Sequence, residues 1–431
     1  MREGESVNAT VGEGPEGLLW SLFTPEGRED PHPALAELRR TAPVHFDAGL
    51  GTYFLTRYAD CQAVLTGSAF AAPDLEWCAR EVPEWRDHPA AEFFYTSMLR
   101  SDGAAHARLR RLVGGAFGPR GVAALRSAVR EFAADTLDAF EKAAAGGAAD
   151  FQALVGYPLP IAVVSRLIGV DPEDGRLLQR LGADAGRLLE PVRSEDDWRR
   201  ADAAVTALRE LFADLLARRA REPADDLASA LLAACGGGGR GGGGGGAGGG
   251  GGAGGARELV DTLVLVLVAG FETTASLLGL AVHALLTHRD QWDLLRADPG
   301  LAAGAVEETL RWDAPVRMTE RVAQRPFAVG GTTVPAGANV TAVLAAANRD
   351  PERHRDPDAF LIGREGTRVL SFGAGPHFCL GAALARAEAA EVLGQLAARL
   401  PRLRLVGPAV RRDSLSLRAF DRLPLAVAEA G

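Results

Sequence analysis

Apolar residues recur at three- and four-residue spacing along most of the chain, so helices dominate the expectation. Helical patterning begins at Leu35 (ALAELRR) and returns over Tyr58–Leu65. Between them, residues 44–55 (VHFDAGLGTYFL) alternate around a glycine turn and predict a hairpin. Residues 104–145 predict helices divided at Gly118-Pro119. Residues 159–234 predict several more, broken at Asp171-Pro172 and near Glu190-Pro191, because proline cannot continue a helix. Residues 257–288 form one long helical pattern, and Leu301–Trp312 and Ala382–Leu400 form two shorter ones. Residues 327–340 set turn glycines between β-prone residues and predict a small sheet, whereas 350–378 show no period. Residues 71–98 are rich in Pro, Trp and Phe without period and predict a long loop of the kind that often carries function. The fold class is mainly α with small β-sheets.

One segment breaks this pattern. Residues 236–255 hold 17 glycines in 20 positions, which cannot pack a core and predict a flexible linker or an expanded surface loop. Residues 1–17 are polar and acidic, which predicts a loose tail and does not fit a signal peptide. The most apolar run, Leu259–Gly270, is short for a bilayer, contains Asp261 and is followed by Glu272, so no membrane span is expected.

Composition narrows the class. A chain of 431 residues, 47% hydrophobic and 24% charged, is an ordinary globular protein with room for a large core. Net charge is −9 and Lys142 is the one lysine, so the basic excess of a nucleic-acid binder is missing. The cysteines Cys61, Cys78, Cys235 and Cys379 are scattered, which predicts neither a disulfide framework nor a zinc site and suits a reducing cytoplasm.

The strongest chemical signal is Phe372-Gly373-Ala374-Gly375-Pro376-His377-Phe378-Cys379-Leu380-Gly381. Its glycines allow positive φ and close approach of the backbone to a flat ligand. It presents Cys379 just before a helix, whose unpaired N–H groups and dipole favour a thiolate. A thiolate so held suits an axial position on haem iron, where it pushes electron density toward O–O cleavage. The bland alternative is a buried, inert cysteine on a tight turn.

This loop matches in full the pattern Phe-Gly-x-Gly-x-His/Arg-x-Cys-x-Gly, and so resembles the haem-binding signature of the cytochrome P-450 superfamily. The resemblance runs from about Leu18 to Ala428 and implies a single domain over 18–431, with 236–255 a loop insertion inside it. It implies haem b lying between the long helix and the cysteine-loop helix, with Cys379 as the metal ligand and Phe372 and Gly381 beside it. Ala269-Gly270-Phe271-Glu272-Thr273-Thr274 resembles the family's oxygen-activation segment. Ala269 and Gly270 would leave room above the iron, and Glu272 and Thr273 would deliver protons. Phe271 stands where many bacterial relatives have His.

Two further segments agree. Glu308 and Arg311 share a helix face and resemble a structural clamp beneath the haem. Its usual third member is an arginine in Pro-x-Arg-Phe. Here Pro357-Asp358-Ala359-Phe360 puts Ala359 in that place, so either the clamp is incomplete or a neighbour such as Arg355 substitutes. His106 and Arg110, at i and i+4, share another helix face and would join Arg321 and His377 as donors to the haem propionates.

The implied activity is a bacterial-type haem-thiolate monooxygenase that hydroxylates or epoxidises a small apolar substrate, such as a polyketide or macrolide intermediate. The residues carry no flavin or nicotinamide fingerprint, so electrons would come from a ferredoxin and its reductase, docking on arginines such as Arg108, Arg111, Arg364 or Arg386. Candidate substrate-pocket residues are Phe93, Phe94, Met98, Leu265, Val268 and Met318, with core packing the equal alternative. Arg317 is a candidate for a substrate carboxylate or for solvent. The competing readings are a peroxide-driven haem-thiolate peroxygenase, a non-catalytic haem-binding protein, and a helical protein without haem.

Overall fold

The computed structural model describes residues 14–82, 84–190, 194–236 and 253–427. Helices build most of it. The long central helix, Ala253–Thr287, is Leu- and Val-rich on every face, the signature of a helix buried all round. By length and composition, residues 255–287 could cross a membrane, but 83% of the apolar window is buried inside the fold, which makes this the core helix. Around it pack Pro158–Ile168, Gly175–Gly186, Glu195–Arg221, Ala302–Trp312 and Ala382–Arg399.

The helix Glu195–Arg221 shows why the sequence folds this way locally. Ser194 and Asp197 form a reciprocal capping box, three acids fill the first turn and three arginines the last, all matched to the helix dipole. Glycine does comparable work between helices. A Cβ on Gly182 would lie 2.4 Å from the ring of Phe271, so its absence lets the Gly175–Gly186 helix settle against the long helix.

The β structure is peripheral. Val44–Asp47 and Thr52–Leu55 form the expected antiparallel hairpin. Thr52–Leu55 then pairs in parallel with Asn339–Ala342, which continues antiparallel to Thr319–Ala323 and on to Phe70–Ala71. Phe327–Val329 and Thr332–Val334 make a separate small hairpin. Near the C-terminus, Val410–Arg411 and Phe420–Arg422 pair across a bulge, beside the strand Pro424–Val427.

Several boundaries differ from the sequence expectation. Residues 71–98 are not a long loop: they hold Leu75–Glu81, a single turn at Trp85–Asp87 and Pro89–Thr96. Asp74 caps the first of these through Trp77 N, and proline opens the third, local signals too short to show as periodicity. Helix already runs over Pro15–Ser21, so the expected tail of residues 1–17 ends earlier, and its residues 1–13 lie outside the described residues. Helix enters the glycine tract expected as a loop over 236–255 at both ends, at Gly236 and from Ala253, and 237–252 lie outside the described residues.

Candidate active site

The cysteine loop is held by backbone geometry. Gly373 and Gly375 both adopt positive φ (69° and 68°), and a Cβ on Gly375 would meet Leu65 O at 2.6 Å. Cys379 N donates to Phe372 O at 2.8 Å and closes the loop. Gly381 then caps the helix Ala382–Arg399. The Cys379 thiol stands where this helix starts, with the N–H groups of Gly381 and Ala382 directed at the sulfur. Burial pushes the thiol pKa up, while those N–H groups and the charges of Arg110 and Arg386 oppose the rise. Cys379 nonetheless keeps open surface and is not sealed in the core. A metal bound there would remove the thiol proton.

The long helix shows a complementary gap. From Thr262 to Val282, Ala269 and Gly270 are its exposed residues and Thr273 is partly exposed, while the rest of that stretch is buried. A helix buried on all other sides bares one turn of small residues, with Val164 Cγ2 3.4 Å from where a Cβ on Gly270 would lie. Thr273 Oγ1 donates to Ala269 O at 3.0 Å, which leaves its lone pairs free to accept. Glu272 turns to the buried side and is 3% exposed. Its carboxylate pairs with Arg412, and burial raises its pKa against that pairing.

Four predicted donors are brought together. The rings of His106 and His377 lie with centroids 4.3 Å apart, tilted by 36°. His377 Nε2 lies 2.9 Å from Asp102 Oδ1. Arg110 Nη2 donates to Phe378 O at 2.8 Å and ties the helix Gly103–Phe117 to the cysteine loop. Arg321 is 8% exposed, and burial lowers its pKa to about 10, with Asp102 the first opposing charge. His106 is likewise lowered by burial and by the positive neighbours His377 and Arg110. Asp102 faces His377 and Arg321, His106 and Arg110 stand beside them, and Glu320 is a second carboxylate near Arg321. Four N–H-bearing side chains gathered in one place fit a ligand with two carboxylates.

Glu308 and Arg311 form a bidentate pair, both contacts at 2.8 Å, with both side chains essentially inaccessible. The third member is Arg364, which the sequence reading had placed among the docking arginines. Its Nε lies 3.2 and 3.1 Å from Glu308 Oε1 and Oε2, and its guanidinium also donates to Asp356 O and Ala359 O. Arg355, the expected substitute, has a 93% exposed side chain and contributes its carbonyl, which accepts from Arg364. Ala359 contributes through its backbone, accepting from Arg311 as well. The signal for Arg364 was an arginine five residues past the vacant position, close enough for a turn to fold it back.

The remaining candidates divide. Phe93, Phe94, Leu265 and Val268 belong to the buried core, with Arg209 over Phe93 and Arg100 over Phe94. Met98 is partly buried against that core. Arg317 is 6% exposed and its Nη2 donates to Arg28 O at 2.8 Å, so it anchors the N-terminal segment and is not at the solvent surface. Arg317 and Met318 border a small apolar cavity with Leu19, Phe54 and Leu415. Arg108 pairs with Glu258 and Arg386 with Glu307, while Arg111 is exposed.

A cysteine at a helix start, a bare turn of small residues on the buried helix and a cationic cradle define the haem-thiolate class. Comparison with known proteins agrees. A Cytochrome P450 family model matches residues 300–399. The chain is 35% identical over 400 residues to 6-deoxyerythronolide B hydroxylase of Saccharopolyspora erythraea, covering 90% of this chain and 94% of that protein. It is 36% identical over 403 residues to the cytochrome P450 monooxygenase PikC of Streptomyces venezuelae, covering 92% and 91%. The crystal structure of CalO2 superposes with a TM-score of 0.83 at 34% identity, covering 95% of this chain and 99% of that one. That of P450BioI, in complex with an acyl carrier protein ligated to hexadec-9Z-enoic acid, also gives 0.83, at 30% identity and 94% and 99% coverage. The chain belongs to the cytochrome P450 family. It is a P450 monooxygenase with the P450 fold, and its cofactor is haem b.

Proposed function

We propose that this P450 hydroxylates or epoxidises a small apolar natural product of the polyketide or macrolide type, using electrons from a ferredoxin and its reductase. The substrate class is supported by relatives whose names carry 6-deoxyerythronolide B and polyketide biosynthesis. One observation carries the site assignment: the bare Ala269–Gly270 turn of a helix otherwise buried from Thr262 to Val282, with Thr273 beside it.

Haem supplies dioxygen binding and reductive activation. The chain's residues do the rest. Cys379 would hold the iron through sulfur, its charge supported by the Gly381 and Ala382 N–H groups. Phe372, with the Arg386 guanidinium 4.4 Å over its ring, and Gly381 shape that side. His106, Arg110, Arg321 and His377 would bind the propionates and fix the plane. Ala269 and Gly270 would leave space for dioxygen. Thr273 would accept a hydrogen bond there, and Glu272 would replenish protons from the buried side of the helix. Met98, Met318 and the apolar cavity beside Arg317 are proposed to border the substrate route.

The whole of 18–431 is proposed as one monooxygenase domain with the glycine tract as an insertion, acting in the cytoplasm, where cysteine thiols stay reduced. Exposed Arg111 and the half-exposed Arg108 and Arg386 are the proposed ferredoxin contacts. Neutralising them should slow reduction and leave substrate affinity unchanged. Titration of the ferric enzyme with macrolactones and linear polyketides tests the substrate class. A Soret shift at micromolar ligand is expected, and no shift with any of them overturns it.

A further inference from the structure

The Glu272 carboxylate is held from two sides by elements remote in sequence. Arg412 Nη1 donates to Glu272 Oε1. Glu272 Oε2 lies against Gly186, where an added Cβ would meet it at 2.4 Å. Arg412 is itself fixed by three groups: its Nη2 donates to Tyr157 Oη at 2.6 Å, its Nε to Asp421 Oδ1 at 2.9 Å, and its backbone N–H to Ala419 O at 3.0 Å. Two of these three groups lie on the C-terminal hairpin and none on the long helix.

The tip of that hairpin is fastened elsewhere. Glu190, just past the Gly175–Gly186 helix and its terminal turn Arg187–Leu189, accepts from Ser414 Oγ, from Leu415 N at 2.9 Å and from Ser416 N at 3.2 Å. Three donors from three consecutive residues converge on one carboxylate. Ser414 Oγ accepts in turn from Leu417 N at 2.9 Å, so the latch also shapes the tip. Gly186, against the acid, and Glu190, on the tip, are four residues apart.

We propose that Arg412 is a positioning residue that holds Glu272 on the buried side of the long helix, and that the Glu190 latch on Ser414–Ser416 controls how firmly it does so. The segment after the Gly175–Gly186 helix is thereby coupled to the acid through the hairpin, in addition to the direct approach of Gly186 and the charge of Glu190, whose effects would persist in the Arg412→Leu background. The inference rests on the proton-delivery role proposed for Glu272. It adds the element that governs that role.

The test is a double-mutant cycle on holoenzyme: parent, Arg412→Leu, Glu190→Gln and the double variant, with Arg412→Lys as the conservative variant. No substrate is needed. NADPH-driven oxygen consumption through a plant ferredoxin and its reductase is measured, together with the share of electrons released as hydrogen peroxide and the effect of D2O on the rate. Amide hydrogen exchange over 412–418 reports the hairpin directly. Arg412→Leu should change the peroxide share or the D2O effect at least ~3-fold, the scale expected of a coupled contact pair. Arg412→Lys should return it toward the parent. Glu190→Gln should speed exchange at 414–418 and shift the same quantities in the same direction, with a smaller shift in the Arg412→Leu background than in the parent.

Additive effects, or a Glu190→Gln enzyme that matches the parent, overturn the coupling. An Arg412→Leu enzyme that only loses thermal stability or haem, with peroxide share and D2O effect unchanged, overturns the positioning role. The reduced–CO spectrum of every variant separates these failures from a failure of the site assignment. A parent without thiolate-ligated haem refutes that assignment and this inference with it. A normal parent band with an additive cycle refutes this inference alone.

Discussion

Arg364 Nε sits 3.1 Å from Glu308 Oε2 and completes a buried clamp whose expected third position is occupied by Ala359. Glu308 thereby accepts from two guanidiniums and from Leu361 N at 2.8 Å. Arg364→Ala leaves Glu308 paired with Arg311 but removes the second cation and its charge-assisted hydrogen bonds, so it should cost ~1.5–3 kcal/mol and reduce retained haem. Arg355→Ala, at an exposed side chain, should change stability by less than ~0.5 kcal/mol. Denaturant unfolding of both variants checks the contrast, and equal effects would refute it.

Glu388 lies fully inside the helix Ala382–Arg399, and its Oε2 has no hydrogen-bond partner. Burial raises its pKa well above the usual carboxylate range, so the folded protein holds it neutral. The unfolded chain releases that proton near pH 4.5, so this group's contribution is full below that pH and is lost as pH rises. Glu388→Gln should therefore stabilise the protein relative to the parent, more at pH 8 than at pH 5. A difference in melting temperature that is flat with pH would contradict this.

His283 and His354 act in the opposite direction. Burial pushes both imidazoles down to about 4, below the 6.5 of the unfolded chain. Each is held neutral in the fold, so its contribution is present above pH 6.5 and lost as pH falls toward 4. His354 is 5% exposed, sits edge-on to Tyr58 and has no partner for Nε2. His354→Gln should flatten the acid limb of the stability–pH curve between 6.5 and 4, as followed by urea titration across that range.

The close approach at Gly182 gives a packing prediction. An added Cβ meets Phe271 Cε1 at 2.4 Å, nearer than packed atoms tolerate. Gly182→Ala should cost ~1–3 kcal/mol through overpacking. The double variant Gly182→Ala/Phe271→Leu should recover part of it. Failure of the smaller side chain to relieve the cost would show that the strain lies elsewhere.

The long helix, the hairpin at 44–55 and the cysteine loop were legible in the sequence because each carries its signal locally: periodicity, alternation around a turn, or glycines at fixed spacing. The grouping of His106, Arg110, Arg321 and His377 was legible by resemblance, as was the pairing of Glu308 with Arg311. Arg364, Arg412 and Glu190 were not. Their partners lie 56, 140 and 224–226 residues away, and no local pattern marks a contact made by folding. The helices within 71–98 escaped because each spans two turns or so, too short for a period to register. The burial of Arg317, against the solvent alternative, escaped for a related reason: its partner Arg28 O belongs to a distant N-terminal segment.

The central claim is that Cys379 ligates haem iron. It is tested most directly by the absorption spectrum of the purified protein, reduced with dithionite and exposed to carbon monoxide, beside Cys379→Ser. The account predicts a strongly red-shifted Soret band in the parent that is lost in the variant. A parent band at the position of histidine-ligated haem, or an unchanged band in Cys379→Ser, would contradict it.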